Sequence, residues 1–517
     1  MDSYYQHRKY LKFKQMKKKY IYLLPVVSLV FLVSACTKKF PEINTDPNLP
    51  TEVPLANHLA GAMISFDQGF MAPSNTNIDL STNYVGERNS AYPADLSSTY
   101  QNWTSEDWGG YYSTLNDMND IIAKAKEANA YNMLAAALTF RAEITQIATD
   151  EWGDMPYSEA AKASNGVLRP KYDDQKSIYD SIINDLKTAA DIFKAGHTDQ
   201  IGTVEPFYSG DVHKWQKLCN SLRMRVATRI SFVDAAKAQS IIAEVLGNPS
   251  DYPISQTIDD RAEITYAGDN TWQIGFWYWA NLLEFECAGQ RIVDILKAYD
   301  DPRLMRLVAP AVSDGQYRGT SRIGRSSNFK VNDISYFNKN YYVVNGTTGP
   351  NIHYRHSEVL FDEAEIYLRG LYPGGDAAAQ QAYEAGIYAS MKELSIMADG
   401  SPKIPDDSIA LYIASDSIKW SGTTQEKLWK IWNQKYIAHC FMLNESWAEM
   451  RRTDVPLCLP AIGSYYPSHN RGPFRVPYPA NEQLMNSVNS KQYFAAQIAG
   501  DYLWGGQLWW DKRTGVH

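Results

Sequence analysis

Apolar residues return at helical spacing over long stretches of this chain, and that spacing restricts it to a mainly helical fold. Met133, Ala137, Phe140, Ile144 and Ile147 fall at i, i+4, i+7, i+11 and i+14, one face of a helical segment spanning 116–149. Ile178, Ile182, Leu186, Ala189 and Phe193 share a second face. Trp215, Leu218, Leu222 and Val226 share a third, and 235–246 makes one more helix. Helices return at Ser357, where Leu360, Ala364, Tyr367 and Leu371 make a stripe closed by Gly374 and Gly375. Residues 377–394 and 424–450 follow, the latter as one or two helices, and 52–65 fits a first helix. A helix with one apolar stripe must bury it on a neighbour, and short connections favour stacked antiparallel pairs. No clean repeat of about 34 residues is visible.

Between these helices the chain changes character. Residues 72–108 are rich in Asn, Ser, Tyr and Pro, and read as long loops. Residues 247–357 hold Asn-Pro-Ser, Asp-Gly and Asn-Gly turns with short Tyr- and Val-rich runs, so loops and small hairpins are expected there. Only 289–299 looks helical in that stretch. From Arg451 onward Pro, Asn and aromatic residues dominate, ending in Leu508-Trp-Trp-Asp511.

The N-terminal stretch fixes location. Lys17-Lys-Lys is followed by an apolar run from Ile21 to Val33 and then Leu32-Val-Ser-Ala-Cys36. That is the order of a secretory signal, and the run is shorter than the ~20 residues of a membrane span. Its end resembles a bacterial lipobox, which implies lipidation of Cys36 and cleavage before it. Met16-Lys-Lys-Lys looks like a usual signal start, so 1–15 reads as a misplaced start. Residues 37–51 hold too much Pro, Asn and Asp for a helix or central strand, and read as a tether.

Composition excludes some functions. A net charge of −8 with scattered Lys and Arg gives no basic face for nucleic acid. Cys219, Cys287, Cys440 and Cys458 match no zinc or Cys-x-x-Cys spacing and read as small buried apolar residues. Nucleophile-elbow, phosphate-loop, dinucleotide, zinc-protease and calcium-loop motifs are all missing, and no cofactor is implied. His353 and His356 read as surface or satisfied histidines rather than metal ligands. Glu284 and Glu286 would act as a glycosidase pair only at a fixed separation, which sequence does not set. Asp362, Glu363 and Glu365 read as a solvated helix face. Asp150 to Tyr157 reads as a structural turn, with Gly153 and Pro156 redirecting the chain and Trp152 and Tyr157 pinning it.

The aromatic content is unusual: 14 Trp, 35 Tyr and 17 Phe, enough to invite a search for exposed platforms. The densest stretch is Trp272-Gln-Ile-Gly-Phe-Trp-Tyr-Trp279, in the turn-rich region. A flat indole can stack on the C–H face of a sugar, so Trp272, Trp277 and Trp279 are candidate ligand contacts. In a strand Trp277 and Trp279 share a side and Tyr278 faces the other way. Trp103, before the first long helix, is a further candidate; Trp108 leads into that helix and is expected to pack. A buried core strand is the competing reading of 272–279, and both stand.

Five segments, in order, resemble the SusD/RagB-like nutrient-binding lipoproteins of the Bacteroidetes outer membrane, in particular the second SusD-like subfamily. They are Cys36 to Val53; Asp150-Glu-Trp-Gly-Asp-Met-Pro-Tyr-Ser-Glu159; Lys217-Leu-Cys-Asn-Ser-Leu-Arg-Met-Arg225; Glu358-Val-Leu-Phe-Asp-Glu-Ala-Glu365; and Arg475-Val-Pro-Tyr-Pro-x-Asn-Glu482. The resemblance implies a mainly α fold of tetratricopeptide-like helix pairs in a right-handed superhelical scaffold, holding a loop-rich lobe with small hairpins. It divides the chain into a signal (1–35), a lipidated tether (36–51) and one domain (52–517). The scaffold is then mainly 113–246 and 357–450, and the lobe mainly 66–112, 247–356 and 451–517. It implies no catalysis, an oligosaccharide ligand, and an outer-membrane protein, lipid-anchored and facing the cell exterior. Its partner would be a SusC-like TonB-dependent barrel. A peptide binder or a mainly structural lid of the barrel is the alternative, and an anchored glycoside hydrolase a weaker one.

Overall fold

The apolar stripes become helices, and the chain stacks them largely in order. A computed structural model describes residues 53–69, 82–87, 108–265, 286–320, 330–338, 343–344, 347–348, 351–395, 403–459, 469–499 and 504–517. Leu55–His517 forms one unit, and Met1–Pro54 is a separate one. Helix α1 (Leu55–Gly69) is followed by strand β1 (Val85–Glu87), then α2 (Trp108–Glu127) and α3 (Tyr131–Trp152). The short strands β2 (Met155–Pro156) and β3 (Tyr172–Asp173) pair with each other before α4 (Gln175–Lys194), α5 (Val212–Ile230) and α6 (Ala235–Gly247). Each helix from α1 to α6 packs on the next, apart from the weave through β1.

Local chemistry sets the helix ends. Asp174 accepts a hydrogen bond from the Ser177 amide at the start of α4, Asp211 caps α5, and Asp234 caps α6. The expected stripe of α4 is buried as read: Ile178, Ile182, Leu186, Ala189 and Phe193 all lie in the core. Burying one such large aliphatic side chain stabilises the fold by about 1.5–3 kcal/mol. The expected single segment 116–149 is instead two helices. Asn129 turns the chain with φ +53°, a left-handed conformation Asn tolerates, and α3 starts afresh at Tyr131. Helix α3 then runs past Asp150 to Trp152, where Gly153, at φ +78°, ends it and donates its amide to the Thr149 carbonyl.

The middle of the chain is built of small ladders, as the turn density suggested. After β4 (Ala262–Ile264) come β5 (Glu286–Ala288), α7 (Gln290–Ala298), α8 (Leu304–Leu307) and β6 (Val308–Ala309). Then come β7 (Tyr336–Phe337), β8 (Val343–Val344), β9 (Thr347–Thr348) and β10 (Asn351–Tyr354). Among the described residues the ladders are antiparallel and two-stranded: β1 with β5, β4 with β10, β6 with β7 and β8 with β9.

Helices resume with α9 (His356–Leu368) and α10 (Gly375–Glu393), then α11 (Asp406–Ala414), α12 (Thr424–Ala438) and α13 (Leu443–Thr453). Thr423 and Glu426 form a reciprocal capping box at the start of α12. Helix α9 ends with Gly370 at φ +67°; Gly374 and Gly375 begin the next helix rather than closing this one. The tail, expected as loop, contains α14 (Ala480–Met485) and α15 (Ser487–Ala499). Helix α9 packs on α5, α10 and α12, while α13 crosses back onto α3. A large apolar core follows α1 to α7 and the tail, and a smaller one built on Phe361, Tyr383, Ile387 and Ile431 lies under α9 to α12.

Candidate ligand-binding site

Two ladders hold the segments that carry the candidate aromatic residues. In the β1–β5 ladder Val85 faces Ala288 and Glu87 faces Glu286. The chain leaves β1 after Glu87 and enters β5 at Glu286, so segments 88–107 and 266–285 attach at the same end of one antiparallel ladder. The second segment starts just beyond the β4–β10 ladder, where Ile264 faces Asn351. Trp103 belongs to the first segment, and Trp272, Trp277, Tyr278 and Trp279 to the second. These five residues, with Cys36 and Glu284, lie outside the described residues; Glu286 is the first residue of β5.

The base of that ladder is closely packed. Tyr84 is fully buried and stacks on Tyr436 of α12, with ring centroids 4.6 Å apart and planes 12° apart. Its hydroxyl donates to the Tyr436 carbonyl and lies 2.7 Å from Ser446 Oγ. Burial pushes the Tyr84 phenol well above its ordinary pKa, so it stays a hydroxyl and can donate. The Tyr436 hydroxyl donates in return to the Thr82 carbonyl at 2.9 Å. Gly289 donates to the Tyr84 carbonyl at 2.6 Å, and a Cβ there would overlap the Asn83 carbonyl. Asn83 Oδ1 in turn accepts from the Arg291 amide at the start of α7. Sequence reasoning missed these anchors, because partners some two or three hundred residues apart leave no local pattern.

The described aromatic residues are mostly structural. Trp152, Trp215, Trp447, Trp504 and Trp510 are buried, and Trp429, at 51% exposure, is the exposed Trp among the described residues. Trp108 packs where expected, edge-on to Trp152 at 5.0 Å. The Asp150–Tyr157 turn is a structural knot. Asp150 accepts from the Tyr179 hydroxyl at 2.6 Å and from Trp510 Nε1 at 2.7 Å, which ties the tail to α3 and α4. The Asp173 carboxylate accepts from the Tyr157 and Ser158 amides. The Tyr478 hydroxyl donates to the Asp154 carbonyl at 2.6 Å.

The carboxylates of α9 overturn the expectation of a solvated face. Asp362 and Glu365 are buried, at 0% and 1% exposure. Lys435 donates to Asp362 at 2.7 Å, and Arg452 grips Glu365 through two hydrogen bonds of 2.7 Å. Burial pushes Asp362 up to about 6 and Glu363 up to about 7. Burial acts upward on Glu365 too, but Arg452 outweighs it and holds that carboxyl at about 2. The reason is packing: α9 lies among α5, α10 and α12, so the expected stripe residues Leu360, Tyr367 and Leu371 are only half-buried while the acidic face meets cations. Arg225 of α5 completes the seam, with hydrogen bonds of 2.5 and 2.8 Å to Glu358.

The two histidines are satisfied core residues. His353 lies between Glu143 Oε1, 2.9 Å from Nδ1, and Asp67 Oδ1, 3.0 Å from Nε2. His356 meets Ser255 Oγ at 3.1 Å, and burial drives its pKa down to about 4. Among the described residues no cluster of His, Cys, Asp and Glu could hold a metal. Cys219, Cys287, Cys440 and Cys458 are all buried, as read. No described helix is long and apolar enough to cross a membrane.

The SusD-like family model, described as starch-binding and associating with the outer membrane, matches residues 47–479. The chain belongs to the SusD-like family. Solved structures agree over most of its length. A chitin-binding protein is 25% identical, with a TM-score of 0.74, and the match covers 89% of this chain and 99% of that one. A chitin-binding SusD homolog from Flavobacterium johnsoniae is 22% identical over 89% and 99% of the two chains, with a TM-score of 0.73. A SusD homolog from Bacteroides thetaiotaomicron is 22% identical over 90% and 100%, with a TM-score of 0.71. No match was found among curated proteins. The mainly helical, tetratricopeptide-like fold expected from the sequence is the fold of this SusD-like protein. Four of the five segments behind the resemblance lie wholly within the described residues, and of the first only Val53 does. There they serve as scaffold: the knot at Asp150, the arginines of α5, the acids of α9, and the tail at Val476 and Tyr478.

Proposed function

We propose that this SusD-like protein is a lipid-anchored outer-membrane receptor that captures glycan fragments and passes them to a SusC-like TonB-dependent barrel. In this reading Cys36 carries the lipid, 37–51 is the tether and 52–517 one binding domain. The protein holds its ligand without cleaving it, and faces the cell exterior. The family match over 47–479 carries the reading, and the named chitin-binding neighbours support a glycan as ligand. The β1–β5 register supports the placement of the site, because it attaches the segments of Trp103 and of Trp272, Trp277, Tyr278 and Trp279 at one end of one ladder.

The test is to substitute each of the four tryptophans with alanine and Tyr278 with phenylalanine, and to measure melting temperature and retention on immobilised chitin and starch. A stacking aromatic is worth roughly 0.5–1.5 kcal/mol beyond the area it buries. Weakened retention in variants that melt like wild type supports the site. Unchanged retention in folded variants refutes it, and retention of peptides alone favours the peptide-binding alternative. Cys36→Ala tests the anchor: the variant is expected in the soluble fraction, and recovery with the membrane at wild-type level refutes lipidation.

A further inference from the structure

The helical scaffold has a cleft of its own, walled by α2, α3 and α4 and by the loop 157–165, with a volume of about 800 Å³. That lies within the ~300–1,000 Å³ typical of small-molecule sites. Its floor is an ion pair whose groups are already engaged. Arg141 Nε and Nη2 each donate to Asp185 at 2.8 Å, and Nη1 donates to Asn119 at 2.8 Å. On the walls Asp180 is held by Lys176 and Lys237, and Asp120 by Lys124. Lys162 Nζ donates to the Ser158 carbonyl at 2.6 Å. Each carboxylate of the cleft is thus paired with a cation and the floor guanidinium is fully engaged, which leaves little free field for a bound cation.

Neutral groups remain. The amides of Asn116, Asn165 and Asn184 and the hydroxyl of Ser164 line the cleft and take part in none of those ties. Amides that both donate and accept suit a ligand whose hydroxyls do the same. Tyr157 adds a half-buried aromatic surface. The loop wall is set before any ligand arrives: Asp173 accepts from the Tyr157 amide at 3.0 Å, the Ser158 amide at 2.8 Å and Ser158 Oγ at 2.7 Å. Ala161, on the rim, is held at φ +55°, a left-handed conformation that a residue with a Cβ adopts only when its surroundings impose it. A fixed wall spares a ligand the cost of ordering it.

We infer that this cleft is a second ligand site, for a short uncharged polyhydroxylated chain such as a neutral oligosaccharide, separate from the loop segments of Trp103 and Trp272–Trp279. The inference rests on the glycan-binding reading above. The experiment is calorimetric titration of chito- and malto-oligosaccharides into the mature chain, into a variant with Trp103, Trp272, Trp277 and Trp279 all changed to alanine, and into each with Ala123→Trp or Asn184→Ala added. Ala123 and Asn184 are exposed on the walls, so both changes are compatible with folding, and equal melting temperatures check this. The four-Trp variant is expected to keep a residual binding event that Ala123→Trp abolishes and Asn184→Ala weakens roughly tenfold. If wild type binds and neither cleft change alters stoichiometry or affinity, the second site is wrong while the glycan reading stands. If wild type binds none of these sugars, the glycan reading fails and the second site with it.

Discussion

The two parts of the helical scaffold are joined by different chemistry. Between α3 and α4, and onward to α5, the contact is mainly hydrocarbon: Phe140, Ile144, Ile178, Ile182, Leu186 and Leu222 are buried together. Between α5, α9, α12 and α13 the contact is largely ionic. Arg225, Arg229, Lys435 and Arg452 meet Glu358, Asp362, Glu365, Glu445 and Glu449, every one of them buried. An apolar seam is non-directional and loses stability in increments as methylenes are removed. A buried ionic seam is directional: each charge is costly to desolvate and depends on its partner's position. The first type lets helices stack; the second requires the late helices to reach one register against α5.

The largest expected effect breaks one ion pair. Arg225→Ala leaves Glu358 buried without its two-pronged donor, and should cost ~3–5 kcal/mol in denaturant unfolding. Arg225→Met with Glu358→Leu removes both charges and should return most of that loss. A double variant no more stable than the single one would mean the seam is held by shape rather than by charge pairing.

This contrast also explains what was legible in the sequence. The stripe of α4 could be read directly, because one face is buried and the other is wet. The acids of α9 could not, because Asp362 and Glu365 look solvated until Lys435 and Arg452, some seventy to ninety residues away, are placed against them. The same limit hid the ladder: β1 and β5 are too short to read, and their pairing spans two hundred residues. Family resemblance supplied the fold where periodicity stopped. The candidate aromatic residues came from local composition, and their segments join the chain at one end of the β1–β5 ladder.

The apolar part also holds a buried ion cluster, at His353, whose contribution should depend on pH. At His353 burial lowers the pKa, but Glu143 and Asp67 outweigh it and raise the value to about 9. A raised folded-state pKa gives stability that is complete below the unfolded value near 6.5 and is lost as pH rises through 9. The shift corresponds to something on the order of 3 kcal/mol. The stability difference between wild type and His353→Gln should therefore shrink steadily from pH 6.5 to 9. A difference that stays constant over that window would show the imidazole to be neutral in the folded protein.

The ionic part in turn depends on close apolar contact at one point. Gly386 of α10 faces the buried ring of Phe361, and a Cβ there would come within 2.7 Å of it. Gly386→Ala should cost about 1–3 kcal/mol by overpacking, although alanine is the better helix former. Adding Phe361→Leu should recover part of the loss by opening space. A stabilised Gly386→Ala protein would mean that α10 can move off α9, and that the charged seam tolerates a looser fit.

The smallest effect tests the apolar seam itself. Ile182 is fully buried on α4, among side chains of α3 and α5. Ile182→Val removes one methylene and leaves no polar group without a partner, so the cost is transfer plus a small cavity, ~0.5–1.5 kcal/mol. The neighbours are hydrocarbon and can relax partway into the space. Ile182→Val and Arg225→Ala share no partner, so their losses should add in the double variant to within ~0.3–0.5 kcal/mol. Denaturant unfolding of the two single variants and the double one checks this. A strongly non-additive result would show that α5, buried along most of its length and common to both parts, carries strain from one seam to the other.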